Sequence, residues 1–416
     1  MSIGTVVGEF FEAAMYHHNN RAVITGMGVL AANGTGLDEF WSTLLKGESG
    51  IGPITLFDAS DLACRIAGEV KNFNPDDYID PSLKPKRMGR FTQLGVAAAR
   101  MAIEDAGVKT AEIRRQGFLP VVMGVSTNAM DLTSVAPRIH TAVAGVPHAA
   151  ASAIGYHLDV DTRLITLSTG CASSLDAVAT ASNLIRTGQA DIAIAGGTES
   201  AIVDYVIESM LKCKRCTTRN EEPERASRPF DKNRDYGLIA EGAGITIVEN
   251  AEHAAARGVK PYAEIIGYAS CADPKDSEEG CGMGNAMSSA LSNAGRAINH
   301  VDYISAHGPS DIQMDIVETQ QIKDVFGLRA YEIPVSSIKG ATGCPMGAGG
   351  ILQIISCCLA IRESIIPPTA NYEFPDPNCD LDYVPLVGRR AEISCAMINT
   401  HGFGRGNSSM MLNKAD

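Results

Sequence analysis

Aromatic side chains are scarce in this chain of 416 residues, at 6%, and there is a single tryptophan, Trp41. Charge is also sparse, at 20%, and the 35 basic residues are outnumbered by 48 acidic ones, for a formal charge of −13. That balance argues against general binding of nucleic acid or of an anionic membrane surface, while leaving room for a local basic patch. No apolar run reaches the roughly 18–20 residues that a membrane helix needs. The 11 cysteines follow no framework spacing and no secretory signal precedes them, so reduced thiols and a cytoplasmic setting are expected. Several motifs are incomplete. Gly26-Met27-Gly28 lacks the third glycine of a dinucleotide loop and reads as a strand entering a turn. Cys213-Lys214-Arg215-Cys216 has no second pair at ligand spacing, and His17-His18 has no acidic or cysteine partner close by. No metal site is expected.

What is abundant is aliphatic. Hydrophobic residues make up 45%, and 41 glycines cluster at the ends of β-branched runs, as in an α/β protein with many tight turns. The length allows two or three domains. Residues 1–20 read as an N-terminal extension. Ala22–Gly28 reads as a strand and its turn, Leu37–Lys46 as an amphipathic helix, Arg90–Ala106 as a long helix and Val121–Ser126 as a strand. Residues 128–150, rich in small side chains and weakly periodic, are placed as a lid or subunit contact.

The stretch from Leu164 to Asp176 organises the rest. It starts as an aliphatic run that reads as a buried strand, breaks at Thr169-Gly170, and resumes as a helix with Leu175, Val178 and Leu184-Ile185 on one face. Cys171 stands at the turn. Unpaired amides and the dipole at a helix start favour a thiolate, lowering a cysteine from ~8.5 to roughly 3.5–7.5. Gly170 leaves room for an incoming carbonyl. Asp191–Gly197 and Gly244–Glu249 read as further buried strands. The second half repeats the theme: strands over 263–270, 301–306, 333–338 and 391–399 run into His307-Gly308, Lys339-Gly340 and His401-Gly402. Ligands of α/β sheets bind at such strand ends. The pattern is an internal duplication, residues 21–262 and 263–416, facing one shared site.

Taken together, these segments resemble the β-ketoacyl synthases of the thiolase superfamily. The likeness runs from about Arg21 to Leu412. It rests on Val23-Ile24-Thr25-Gly26-Met27-Gly28, Thr169-Gly170-Cys171-Ala172-Ser173-Ser174, Gly196-Gly197-Thr198-Glu199, Arg228-Pro229-Phe230-Asp231, Ala306-His307-Gly308, Ser337-Ile338-Lys339 and Gly402-Phe403-Gly404 in that order. The resemblance implies the duplicated five-layer αβαβα thiolase fold, a homodimer or a heterodimer with a ketosynthase-like subunit, and no cofactor beyond phosphopantetheine carried by an acyl carrier protein. It implies that Cys171 takes the acyl chain as a thioester, and that the amides of Cys171 and Phe403 form the oxyanion hole. His307 would polarise the malonyl thioester, and Lys339 would complete the site, with Glu318 orienting it through that lysine. Type II polyketide or fatty-acid synthesis is the implied setting.

The chain departs from this pattern. A second histidine belongs at position 344, which holds Cys344, a poor substitute for an imidazole donor. Two pantetheine-binding hydroxyls are replaced by Pro309 and Asp311, and a gating phenylalanine by His401. Three readings follow. His401 supplies the missing imidazole and decarboxylative condensation survives; or the protein is an acyltransferase or non-decarboxylating condensing enzyme; or it is a non-catalytic, chain-length-factor-like partner, a reading weakened by the presence of Cys171. Lys84, Lys86, Arg87 and Arg90, and Lys212, Lys214, Arg215 and Arg219, form the densest basic stretches, where the resemblance places an acidic carrier protein.

Overall fold

A computed structural model of the chain describes residues 20–127 and 141–415. The expected N-terminal extension, apart from Asn20, and residues 128–140 of the expected lid lie outside the described residues. Five strands form the first half: β1 (Ala22–Ala31), β2 (Leu119–Gly124), β3 (Thr162–Leu167), β4 (Ile192–Ser200) and β5 (Glu241–Asn250). Five more form the second: β6 (Ala263–Ala272), β7 (Tyr303–Ser305), β8 (Val335–Ser336), β9 (Cys395–Gly402) and β10 (Gly406–Asn413).

Hydrogen bonding connects them in the order β8-β7-β9-β10-β6-β1-β5-β4-β2-β3. Numbered within its own half, each set runs first, fifth, fourth, second, third. Each has the same mix, antiparallel at β1–β5, β5–β4, β6–β10 and β10–β9, parallel at β4–β2, β2–β3, β9–β7 and β7–β8. The halves meet through two antiparallel pairs, Val23 with Glu264 and Ile24 with Ala263. The duplication expected from the strand ends is therefore present in topology.

Helices complete the layers. The long helix α1 (Arg90–Ala106) covers one face of β1, β5 and β4 and packs on α2 (Ala149–Leu158). Helix α3 (Ser173–Arg186) touches strands of both halves, as does α7 (Gly349–Glu363), and the two pack on each other. They form the central layer. On the far side α5 (Met283–Asn293) lies on β6, β10 and β9, with α6 (Met314–Phe326) beside it. The result is the five-layer thiolase arrangement. A helix buried between two sheets must be apolar all round. The 18-residue window Met346–Glu363 has a mean hydropathy of 1.3, enough by length and composition for a membrane span, and 89% of it is buried inside the protein. The expectation that no stretch reaches that length is corrected here: Gln353 and Ser356 interrupt the run. Gln353 sits in the core because its amide bonds the carbonyls of Ala306 at 2.9 Å and Asn399 at 3.2 Å.

Two further expectations change. Residues Gly26 and Gly28 are not a turn. They lie inside β1, and β carbons there would come within 2.4 Å of the Ala102 carbonyl oxygen and 2.1 Å of the Ala98 one. Their purpose is the close approach of α1 to the sheet. The Leu164 strand, β3, is not buried but forms the outer edge of its half, paired on one side with β2 alone among the described residues, with Leu164 exposed. Aliphatic periodicity alone cannot separate a central strand from an edge that awaits a partner. Gly28→Ala is expected to lower unfolding stability by about 1–3 kcal/mol through overpacking, read as an earlier urea midpoint at unchanged slope.

Candidate active site

The turn between β3 and α3 is fixed by its own side chains. The Ser173 hydroxyl donates to the Gly170 carbonyl at 2.6 Å and accepts from the Thr169 amide at 2.9 Å, while the Thr169 hydroxyl donates to Asp176 at 2.6 Å. Gly170 adopts φ +65°, and a β carbon there would meet Gly402 Cα and the Phe403 amide nitrogen, each at 2.9 Å. Gly402 reciprocates, its missing β carbon falling 2.3 Å from the Thr169 carbonyl oxygen and 3.1 Å from the Cys171 amide nitrogen. This glycine contact brings the two expected oxyanion-hole amides, those of Cys171 and Phe403, to one place.

His307 follows β7, and Lys339 follows β8. The Glu318 carboxylate on α6 accepts the backbone amides of His307 and Gly308, each at 2.8 Å. It holds this turn directly, and its charge also acts on Lys339, as expected. The Lys339 ammonium donates to the His307 carbonyl and lies 3.5 Å from His307 Nδ1. With Nδ1 facing a cation, the ring proton belongs on Nε2. Burial, reinforced by the Lys339 charge, holds His307 well below the usual histidine range, so the ring is neutral. Burial also lowers Lys339.

Cys344 sits against Cys171, pinned by its amide on the Leu238 carbonyl and its carbonyl on the Ala240 amide, both 3.0 Å. The two thiols hydrogen-bond to each other beside Lys339. That bond and burial push Cys171 up, whereas the same bond and the Lys339 charge bring Cys344 down to about 6. Two thiolates in contact repel, so the pair as a unit holds one proton and one negative charge beside Lys339. The expected lone Cys171 thiolate becomes a charge shared with Cys344. The helix after Cys171 begins two residues later, at Ser173.

The N-terminal domain of Beta-ketoacyl synthase matches residues 19–254 and the C-terminal domain of Beta-ketoacyl synthase matches residues 262–373. The chain belongs to the β-ketoacyl synthase family. It is 37% identical over 408 residues to a 3-oxoacyl-[acyl-carrier-protein] synthase 2 of Synechocystis, covering 95% of this chain and 98% of the relative. Among solved structures it resembles a type II polyketide ketosynthase bound to a hexaketide and its acyl-carrier protein, at TM-score 0.86 and 31% identity over 95% of this chain and 100% of that one. It also resembles the ishigamide ketosynthase/chain length factor, at TM-score 0.87 and 31% identity over 95% and 99%.

In this β-ketoacyl synthase the pocket over Cys171 also contains His307, Cys344, His401, Pro309, Asp311 and Phe403, so most of the expected site residues do converge. Its volume is about 60 Å³. His401 lies within β9, not after it, and its ring centroid is 6.0 Å from that of His307. Both of its nitrogens are occupied, Nδ1 with Asn407 Oδ1 at 2.9 Å and Nε2 with Glu279 Oε1 at 3.2 Å. Arg215 turns inward from the second basic stretch, bonding Asp311 at 2.9 Å and Glu279, with its guanidinium 6.0 Å from the Phe403 ring centre. Arg90 also turns inward, onto buried Glu241 at 2.6 Å. Lys84, Lys86, Arg87, Lys212 and Lys214 remain exposed.

Two acidic residues escaped sequence reasoning. Glu279 stands in a polar loop, Lys275-Asp276-Ser277-Glu278-Glu279, with no pattern to mark it. Glu199, though inside a family motif, has a role only the fold reveals: buried, it gathers the amides of Ser126 at 2.9 Å, Thr127 and Gly347 at 3.2 Å, bracing the turn after Cys344.

Alkylation of the thiol pair by iodoacetamide, followed by peptide mass, is expected to rise with pH through about 6, as the shared proton pair reaches its single-thiolate form. Lys339→Met removes the stabilising cation, so this midpoint moves to higher pH. An unmoved midpoint would show that Lys339 does not set the charge of the pair.

Proposed function

We propose that this β-ketoacyl synthase accepts an acyl chain from an acyl carrier protein on Cys171 and extends it by decarboxylative Claisen condensation with a malonyl-type unit, in polyketide or specialised fatty-acid synthesis. The observation that carries the reading is the Cys171–Cys344 pair beside Lys339, with neutral His307 in the same pocket. As Cys171 attacks the incoming thioester, its proton passes to the Cys344 thiolate. Cys344 then protonates the departing pantetheine thiolate, so the exchange balances without an added base. The Cys171 and Phe403 amides hold the oxyanion.

After the malonyl-type thioester binds, His307 Nε2–H stabilises the enolate left by loss of CO₂. The enolate carbon attacks the Cys171 thioester, Cys171 leaves as thiolate, and one proton taken from solvent restores the thiol–thiolate pair. Cys344 thus replaces the proton-holding part of the missing imidazole, and His307 alone supplies the donor. With both nitrogens of His401 occupied, rescue by that residue lacks a free donor.

An acidic carrier is matched by exposed Lys84, Lys86, Arg87, Lys212 and Lys214, and the related ketosynthase structure contains its acyl-carrier protein. A dimer with a second copy, or with a chain-length-factor-like subunit, is supported by the edge of β3, open among the described residues, where exposed Leu164 and Tyr156 lie together. The setting is cytoplasmic, and no cofactor is used beyond the carried phosphopantetheine.

Incubation with acyl- and malonyl-carrier protein is expected to give acylated Cys171, CO₂ and a chain longer by two carbons. Cys344→Ala should slow acylation by ~10²-fold and His307→Ala should slow CO₂ release by ~10²–10⁴. Acylation without CO₂ release would select acyl transfer, and absence of acylation would remove Cys171 as nucleophile.

A further inference from the structure

The contact between Gly170 and Gly402 sets how close two strand ends can come, but a steric contact resists only compression. Something else has to resist their separation, and one buried acid is placed to do so. Asp176 stands in the first turn of α3 and is 6% exposed. Its Oδ2 accepts the Thr169 hydroxyl at 2.6 Å, from the residue before Gly170. Its Oδ1 accepts two hydroxyls from the second half, Ser408 on β10 at 2.7 Å and Tyr268 on β6 at 2.9 Å. Ser408 pairs in register with Thr400 on β9, two residues before Gly402. Asp176 is thus shared between the turn that carries the Cys171 amide and the β9–β10 hairpin whose turn holds Phe403. Three O–H donors suit a carboxylate, which only accepts. Burial pushes the Asp176 carboxyl above its usual range, and the hydroxyls of Ser408, Thr169 and Tyr268 oppose that shift. Hydrogen bonds to an ionised acceptor are shorter and stronger than neutral ones.

We propose that Asp176 is a positioning residue for acyl transfer, holding the Cys171 and Phe403 amides at the spacing that binds the oxyanion by tying the nucleophile turn to the β9–β10 hairpin. The inference rests on Cys171 being the acyl acceptor. Catalytic groups have to be held within about 0.5 Å of their productive positions, and a misplacement of about 1 Å can cost ~10²-fold in rate. Asp176 does not line the pocket over Cys171, so it acts through the backbone it holds. The thiol pair has separate supports: Cys344 is pinned by the Leu238 and Ala240 backbone, and Lys339 acts on both thiols. Loss of the tie therefore affects the oxyanion hole more than the nucleophilicity of the pair.

The test compares two reagents on the same thiols. A hexanoyl thioester of N-acetylcysteamine reacts through an oxyanion, whereas iodoacetamide alkylates by direct displacement and forms none. Both rates are read by peptide mass over Cys171 and Cys344, at a pH well above about 6, where the pair is already in its single-thiolate form. Asp176→Asn keeps the shape of the side chain and removes its charge. It is expected to lower the saturated thioester rate by about tenfold, less than the ~10²–10³ lost with a whole oxyanion donor. The iodoacetamide rate and the half-saturating thioester concentration should stay as they are. Thr169→Val and Ser408→Ala each remove one arm of the tie and should lower the same rate severalfold. Combined with Asp176→Asn, neither should add its full effect, because residues of one network do not act independently. These two variants also carry the test if Asp176→Asn does not fold. An equal loss with both reagents, a raised half-saturation at unchanged rate, or a full thioester rate in all three variants would each overturn the inference and leave Cys171 as acceptor. Failure of the unaltered protein to take a hexanoyl group on Cys171, from the thioester or from acyl-carrier protein, would overturn the inference together with the reading beneath it.

Discussion

The backbone of Gly170 touches the backbone of Gly402 and Phe403, and the site exists because nothing larger than hydrogen stands between them. The contact joins a strand end of the first half to a strand end of the second. It places the amides of Cys171 and Phe403 side by side. A side chain at either glycine would push the halves apart at the point where the chemistry is shared. The mirrored strand order makes the contact possible: the β3 end and the β9 end converge across the layer holding α3 and α7.

Around this contact, buried charge is kept nearly closed. Lys339, His307, Cys171, Cys344 and Glu318 lie in one desolvated region, where an unpaired ion is costly. The lysine is answered by the single thiolate of the cysteine pair and by the His307 carbonyl, and His307 itself stays neutral. Glu318 is answered by two backbone amides. A second imidazole in place of Cys344 would offer a neutral donor. The thiol instead shares one proton and one negative charge with Cys171 beside Lys339. The substitution therefore changes which member of the site carries charge, and does not merely remove a group.

The mouth of the pocket follows a different rule. Only Arg215 and Glu279 among its ionic groups are partly exposed, and they are linked in a chain from Asp273 to Asp311 through four intervening side chains. Such a chain holds each member in one orientation, because moving any one of them leaves two partners unmatched. Arg215, expected on the carrier-facing surface by its position among lysines, belongs to this chain, while its neighbours Lys212 and Lys214 stay outside. One residue of a basic run can thus face the pocket while the others face solvent.

The sequence by itself determined the fold class, the duplication and most of the residues that gather in the pocket over Cys171. Strand runs ending in Gly170-Cys171, His307-Gly308 and Lys339-Gly340 are local signals, since strand periodicity and turn chemistry act over a few residues. It could not settle whether β3 was central or an edge, because an aliphatic strand reads the same in both places. Nor could it assign the charge state of Cys344. Nothing beside it in the chain ionises a thiol; Lys339 and Cys171 do, and only the folded layers bring them together. Glu279 and Asn407 become partners of His401 for the same reason: hydrogen bonds between residues 122 and 6 positions apart depend on where loops close, which no local pattern encodes.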